Sequence, residues 1–222
     1  MPTTVIQLFK QAGLTFHGQV KCGQLINSRA CGFYVVALTD DIEKLVCMDK
    51  PNFDDNAIEQ WIKVVKSGGK QILIDNKVAD LRSIQQRLEK FWLPDETIIY
   101  IGKAGPNKKR TIRKRVKEYY ETKMGCDGKH AGGHWVNTLK NDSSLNVFYS
   151  EYLELDIEEK EEQLISYFMD NVSETTKEIL LDKVNCYPFA NKELYRKSLG
   201  AKIRKMHKLN NQTIDCDKLW KK

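Results

Sequence analysis

At 222 residues the chain is long enough to bury a proper core and predicts one domain carrying insertions. Hydrophobic residues make up 41% and charged residues 30%, which excludes a disordered chain, and no apolar run reaches the roughly 18 residues needed to cross a bilayer. A formal charge of +6 is mild, but 103–117 and 192–208 are basic while 151–162 is acidic, so one face is expected to meet a polyanion.

Val5 to Gln11 predicts a short amphipathic helix ended by Gly13. Gly32-Phe33-Tyr34-Val35-Val36-Ala37-Leu38 is apolar and β-branched, and Thr39-Asp40-Asp41 stops it, so it reads as a strand. Residues 54–66 and 80–92 have helical spacing, the first with Ile58, Ile62 and Val65 on one side. Gly68-Gly69 breaks the first of these and Pro94-Asp95 ends the second, with Gln71 to Ile74 suggesting a short strand between them. Thr97 to Gly102 is a second strand closed by a Gly-Pro turn, and Thr111 to Tyr120 a basic helix. A glycine-rich loop over 125–133 leads to a third strand, Leu145 to Leu155. Glu158 to Met169 predicts a helix with acids in its first turn, where the dipole favours them, and 191–208 a basic helix. The order implies an α+β fold with a small central β-sheet flanked by helices.

The six cysteines, Cys22, Cys31, Cys47, Cys126, Cys186 and Cys216, form no Cys-x-x-Cys pair. Reduced thiols are expected rather than disulfides or a four-cysteine zinc site. Met1-Pro2-Thr3-Thr4 lacks a basic segment leading into an apolar core, so the expected location is the cytoplasm.

Two helices carry residues out of place. At about 100° per residue, Ile112, Val116 and Tyr119/Tyr120 form the packing stripe of the basic helix, and Arg110, Arg113, Lys114 and Lys117 a separate one. Arg115 falls at the edge of the packing stripe beside Tyr119, where it needs an anion: a salt-bridge partner or a ligand. On the later helix Ile157, Leu164, Ile165 and Phe168 make the apolar stripe, with Glu161 in its middle. An inward carboxylate wants a metal, an arginine or a lysine, unless it is a solvated residue near the helix start.

With these residues in order, the chain resembles the GIY-YIG nuclease superfamily. Gly32-Phe33-Tyr34 looks like its first signature, with Phe for the usual Ile, and Tyr100-Ile101-Gly102 matches the second, continued by Lys103-Ala104. Arg115 and Tyr119 match its helical pair, Glu161 before Leu164-Ile165 its metal-binding glutamate, and Pro188-Phe189-Ala190-Asn191 its closing asparagine. The segment Lys129-His130-Ala131-Gly132-Gly133-His134-Trp135 also looks like bacterial, stand-alone members. Two departures are the insertion between the signatures and the long span from Glu161 to Asn191. The resemblance implies one domain, 1–222, with a core at about 31–40 and 97–192. A helical insertion at about 41–96 separates the first two core strands, and a basic C-terminal helical extension covers about 193–222.

What the resemblance implies is a DNA endonuclease hydrolysing phosphodiester bonds, restriction-type or serving repair or mobile elements. Glu161 would hold one Mg²⁺ or Mn²⁺, Arg115 would clamp phosphate, and Tyr34 would serve as general base for water, directly or through a neighbour. Tyr100 and Tyr119 would orient water or phosphate, and Asn191 completes the set. Lys103, Arg110, Arg113, Lys114 and Lys117 would contact phosphate. The implied partner is double-stranded DNA, with a homodimer compatible with double-strand cutting and no membrane. A non-catalytic nucleic-acid-binding protein on the same scaffold is the competing reading. His130, His134 and Cys126 raise zinc as a further alternative, but Gly132-Gly133 argues against the helix that would aim both imidazoles one way; loop histidines near the DNA are the expectation.

Overall fold

The computed structural model describes residues 1–107, 109–128, 130, 132–140, 144–210 and 212–219. Lys129 and Ala131 of the glycine-rich segment lie outside the described residues. Thr4 caps α1 (Val5–Gln11), its hydroxyl accepting from the Gln7 backbone amide while the Gln7 side-chain oxygen accepts from the Thr4 backbone amide. β1 (Gly18–Lys21) and β2 (Gly32–Ala37) follow, then α2 (Asp55–Ser67), capped by Asp54. A small hairpin, β3 (Leu73–Ile74) and β4 (Lys77–Val78), leads into α3 (Leu81–Glu89). After β5 (Ile98–Ala104) come α4 (Ile112–Tyr120), the single turn α5 (Gly133–Val136) and β6 (Asn146–Glu151). The chain continues with α6 (Ile157–Asn171), α7 (Glu174–Ile179), β7 (Glu193–Arg196), β8 (Ala201–Arg204), β9 (Leu209–Asn210) and α8 (Cys216–Leu219).

The fold is α+β, and its central sheet is small and antiparallel, in the order β1-β6-β2-β5. Every residue of β2 is buried, as expected of a central strand covered on both faces. α4 packs against β2 and β5, and α6 against β5 and α1. Residues 100 and 103 are three apart on β5 and leave it on opposite faces. Tyr119 of α4 stacks on Tyr100, whereas Glu161 of α6 pairs with Lys103, so the two helices cover opposite faces. The first turn of α4 is pinned ahead of β2, since the amides of Ile112 and Arg113 donate to the carbonyls of Ala30 and Ser28.

Between β2 and β5 the chain forms α2, α3 and the β3–β4 hairpin, to which β9 adds a third strand. The C-terminal segment therefore closes over this region. Ile214 exchanges backbone bonds with Gly125 and Asp127, and the Trp61 indole donates to the Gln212 carbonyl. Among the described residues no helix is long and apolar enough to cross a membrane.

Two expectations are corrected. The basic helix over 191–208 is instead the β7–β8 hairpin. Leu194 and Ile203 pair across it, and Gly200 takes a left-handed φ of 57° in the turn. Period-2 pairing won over charge, which says nothing about backbone conformation. Nor is all of that basic charge at the surface. Lys205 is buried, its ammonium donating to the carbonyls of Pro188 (2.8 Å) and Phe189 (3.0 Å) above the Trp135 ring. The second correction is a disulfide between Cys126 and Cys216. The two lie 90 residues apart with no local motif, so only the return of the C-terminal segment brings them together. Cys22, Cys31, Cys47 and Cys186 are free thiols.

Candidate active site

Asn191 ties the site to the edge of the sheet. Its side-chain carbonyl accepts from the Ile101 amide at 2.9 Å and its amino group donates to the Ile101 carbonyl at 2.8 Å. One amide thus satisfies both polar groups of a residue on the edge strand β5, as a neighbouring strand would. Beside it opens a cavity of about 390 Å³, lined among others by Tyr100, Lys103, Arg110, Arg115, Glu161 and Asn191.

Two ion pairs hold the charged walls. Arg115 and Glu118 are 2.5 Å apart, one turn along the same helix, so the salt-bridge reading of Arg115 is realised even as the guanidinium lines the cavity. Lys103 lies between two carboxylates, 2.9 Å from Glu161 and 3.1 Å from Glu158. Burial pushes the Glu161 carboxyl above its ordinary value, against the pull of Lys103. The donor set fits a hard divalent ion: oxygen-only carboxylates converge on a point that a cation already occupies, beside space for water ligands. Among the described residues no three His, Cys, Asp or Glu side chains gather as a fuller metal cage.

Tyr34 does not line the cavity. It lies beneath Tyr100 with ring centroids 5.8 Å apart, fully buried. Burial pushes its phenol up to about 12, opposed by Arg115 and by a hydrogen bond from Tyr100. Tyr100 is half-buried and its own phenol is pushed well up, again mainly by burial. Tyr119 is buried, stacks on Tyr100 at 6.1 Å and does not line the cavity. Its hydroxyl has no hydrogen-bond partner among the described residues, so it packs the site rather than facing a ligand.

What sequence reasoning missed is the place of His130 among the tyrosines. Its ring lies within 5.2–6.1 Å, centroid to centroid, of Tyr34, Tyr100 and Tyr119, and Nε2 meets the Tyr34 hydroxyl. It lies in a loop, as expected, but is buried. Glycines permit this: a β-carbon on Gly132 would run into the Tyr100 ring, and one on Gly133 would come 2.5 Å from the Thr122 hydroxyl oxygen. The Gly132-Gly133 pair was the available signal: it marks close packing and, as expected, no helix carries both imidazoles, since α5 begins at Gly133, after His130. His134 rides α5, buried, while Cys126 is spent in the disulfide, so the three do not form a zinc site.

Of the basic stripe only Arg110 reaches the cavity. Arg113 bonds Asn27 at 3.3 Å, Lys114 is exposed, and Lys117 pairs with Glu121 at 3.5 Å. A larger cavity of about 700 Å³ is walled by Glu118, Glu121, Asp127, Asp215 and Asp217 against one lysine, Lys123, a field that repels a polyanion. The smaller cavity has five basic side chains, with Lys192 and Lys202 joining Lys103, Arg110 and Arg115, against three carboxylates. Compared with protein-family models, curated proteins and solved structures, the chain matches none.

Proposed function

We propose that this chain is a divalent-metal-dependent DNA endonuclease of the GIY-YIG kind, hydrolysing phosphodiester bonds. The observation that carries the reading is the meeting of Tyr100, Lys103, Arg115, Glu161 and Asn191 around one cavity, although they come from one strand, two helices and a distant turn. Residues chosen for packing alone have no reason to gather their charged and phenolic groups at one opening.

In this reading Arg115 turns its planar fork to two phosphate oxygens, a geometry a lysine cannot reproduce. Arg110 and Lys202 draw the backbone to the cavity mouth as sequence-independent contacts. A water attacks phosphorus and the bond to one ester oxygen breaks. Tyr34 first gives up its proton to solvent by way of Tyr100; Tyr100, facing the cavity, then takes the water's proton as it hands its own to the Tyr34 phenolate beneath it, and the leaving oxygen takes a proton from solvent. Arg115 favours that phenolate and burial opposes it. Glu161, with Glu158 beside it, would hold Mg²⁺ or Mn²⁺, which when bound polarises a phosphate oxygen and neutralises the leaving one.

The test is incubation of supercoiled plasmid with the protein and Mg²⁺ or Mn²⁺, beside Glu161→Gln, with DNA binding measured on both. The expected outcome is nicked or linear DNA from the wild type only, with binding in both. Equal cutting by the variant would remove Glu161 from the site. Binding without cutting by the wild type would favour the non-catalytic scaffold.

A further inference from the structure

We propose that His130 is a positioning residue, locked in one neutral tautomer, that donates a hydrogen bond from Nε2 to the Tyr34 hydroxyl oxygen. This rests on the nuclease reading for its functional meaning, but its geometry stands apart from it. The Gly133 amide donates to Nδ1 of His130 at 3.1 Å. A nitrogen that accepts an N–H carries no proton of its own, so in a neutral ring the proton sits on Nε2. Nε2 is the atom that meets Tyr34. The opposite tautomer would set two N–H groups against each other at the Gly133 contact.

The ring is neutral for a physical reason. Burial, then the Arg115 charge, hold its pKa down at about 3. His130 is therefore no proton acceptor for Tyr34; it is a fixed donor. Tyr34 consequently receives a hydrogen bond from His130 on one side and packs against Tyr100, which lines the cavity, on the other. The ring also forms part of the wall against which Tyr100 and Tyr119 pack, at 5.3 and 5.2 Å between centroids.

The experiment has two arms. Nitrogen NMR of the wild type, with histidine labelled in the ring, reads the tautomer directly; protonated Nε2 and bare Nδ1 are expected for His130, and the reverse overturns the proposal. In the second arm His130→Gln keeps an amide donor near the Nε2 position, whereas His130→Phe keeps only the ring. Plasmid cleavage by the Gln variant is expected within about threefold of wild type. The Phe variant should lose about a hundredfold in kcat with KM little changed, in the range of a misplaced acid–base group. Equal loss in both variants would show that bulk or proton acceptance matters instead, and would overturn the donor role. If the wild type shows the expected tautomer but never cuts DNA, the nuclease reading fails while the His130–Tyr34 link stands.

Discussion

Gly102 lies directly across the sheet from Tyr34, and a β-carbon built on it falls 2.6 Å from the Tyr34 ring and 2.6 Å from that of Tyr100. The second signature ends in glycine because the two phenols meet over that position. Gly102→Ala must push the rings apart, an overpacking that costs about 1–3 kcal/mol. A drop in plasmid cleavage of tenfold or more is expected, with a lower unfolding midpoint. Gly128→Ala, where the added carbon meets nothing closer than 3.9 Å, is the control for both measurements.

Arg115→Lys keeps the charge but not the fork. The expected result is a fall in kcat of about a hundredfold, similar to losing a transition-state donor, with DNA affinity changed much less. Single-turnover cleavage beside a binding titration separates the two; a kcat close to wild type would assign Arg115 to the Glu118 pair alone.

Asn191→Ala leaves the Ile101 amide and carbonyl without partners, costing about 1–3 kcal/mol if water does not enter. Asn191→Asp can still accept from the amide but sets an anion against the carbonyl. Faster hydrogen exchange at Ile101 is expected in both variants, and unchanged protection would show that another group replaces the side chain.

Acid should destabilise the fold. Burial holds His130 at about 3, and His134 and His207 at about 4, below the 6.5 of a free imidazole. Between those values the unfolded chain binds protons that the native chain refuses, so this stability is full above pH 6.5 and is lost as pH falls towards 4. The slope is at most about 1.4 kcal/mol per pH unit for each histidine. Glu96, pushed up to about 7 mainly by burial, works the other way between pH 7 and 4.5, and Glu161 has the same sign. Three groups outweigh two, so urea unfolding at pH 7 and pH 5 should show a net loss, and His130→Gln should flatten the difference.

Reducing the Cys126–Cys216 bond releases a loop of 90 residues. Chain entropy for a loop of that length gives a loss of about 4.6 kcal/mol, against about 2–4 kcal/mol for a typical disulfide, seen as a lower melting temperature with dithiothreitol. Cys126→Ser should melt there too and ignore the reductant.

The parts of this molecule legible in the sequence are those in which periodicity and burial agree. β2 and β5 were readable because their apolar runs end at turn residues, and α4 and α6 because Ile112, Val116, Leu164 and Phe168 keep helical spacing. Arg115 and Glu161 stood out as charges breaking those stripes, and both line the cavity. β1 was missed because Val20 is its one apolar residue and none of its four residues is buried. β7–β8 was misread because its apolar positions, Leu194 and Ile203, are too sparse to outvote charge. His130 and Cys216 escaped for a shared reason: each partner lies 90 or more residues away, where no local pattern reaches.

The Asn191 clasp on Ile101 has an outcome for assembly. A bare outer strand invites another chain to zip onto it, and here the midpoint of that margin is already taken by a side chain of the same molecule. Two copies of the chain would have to meet through some other surface, leaving each cleft open.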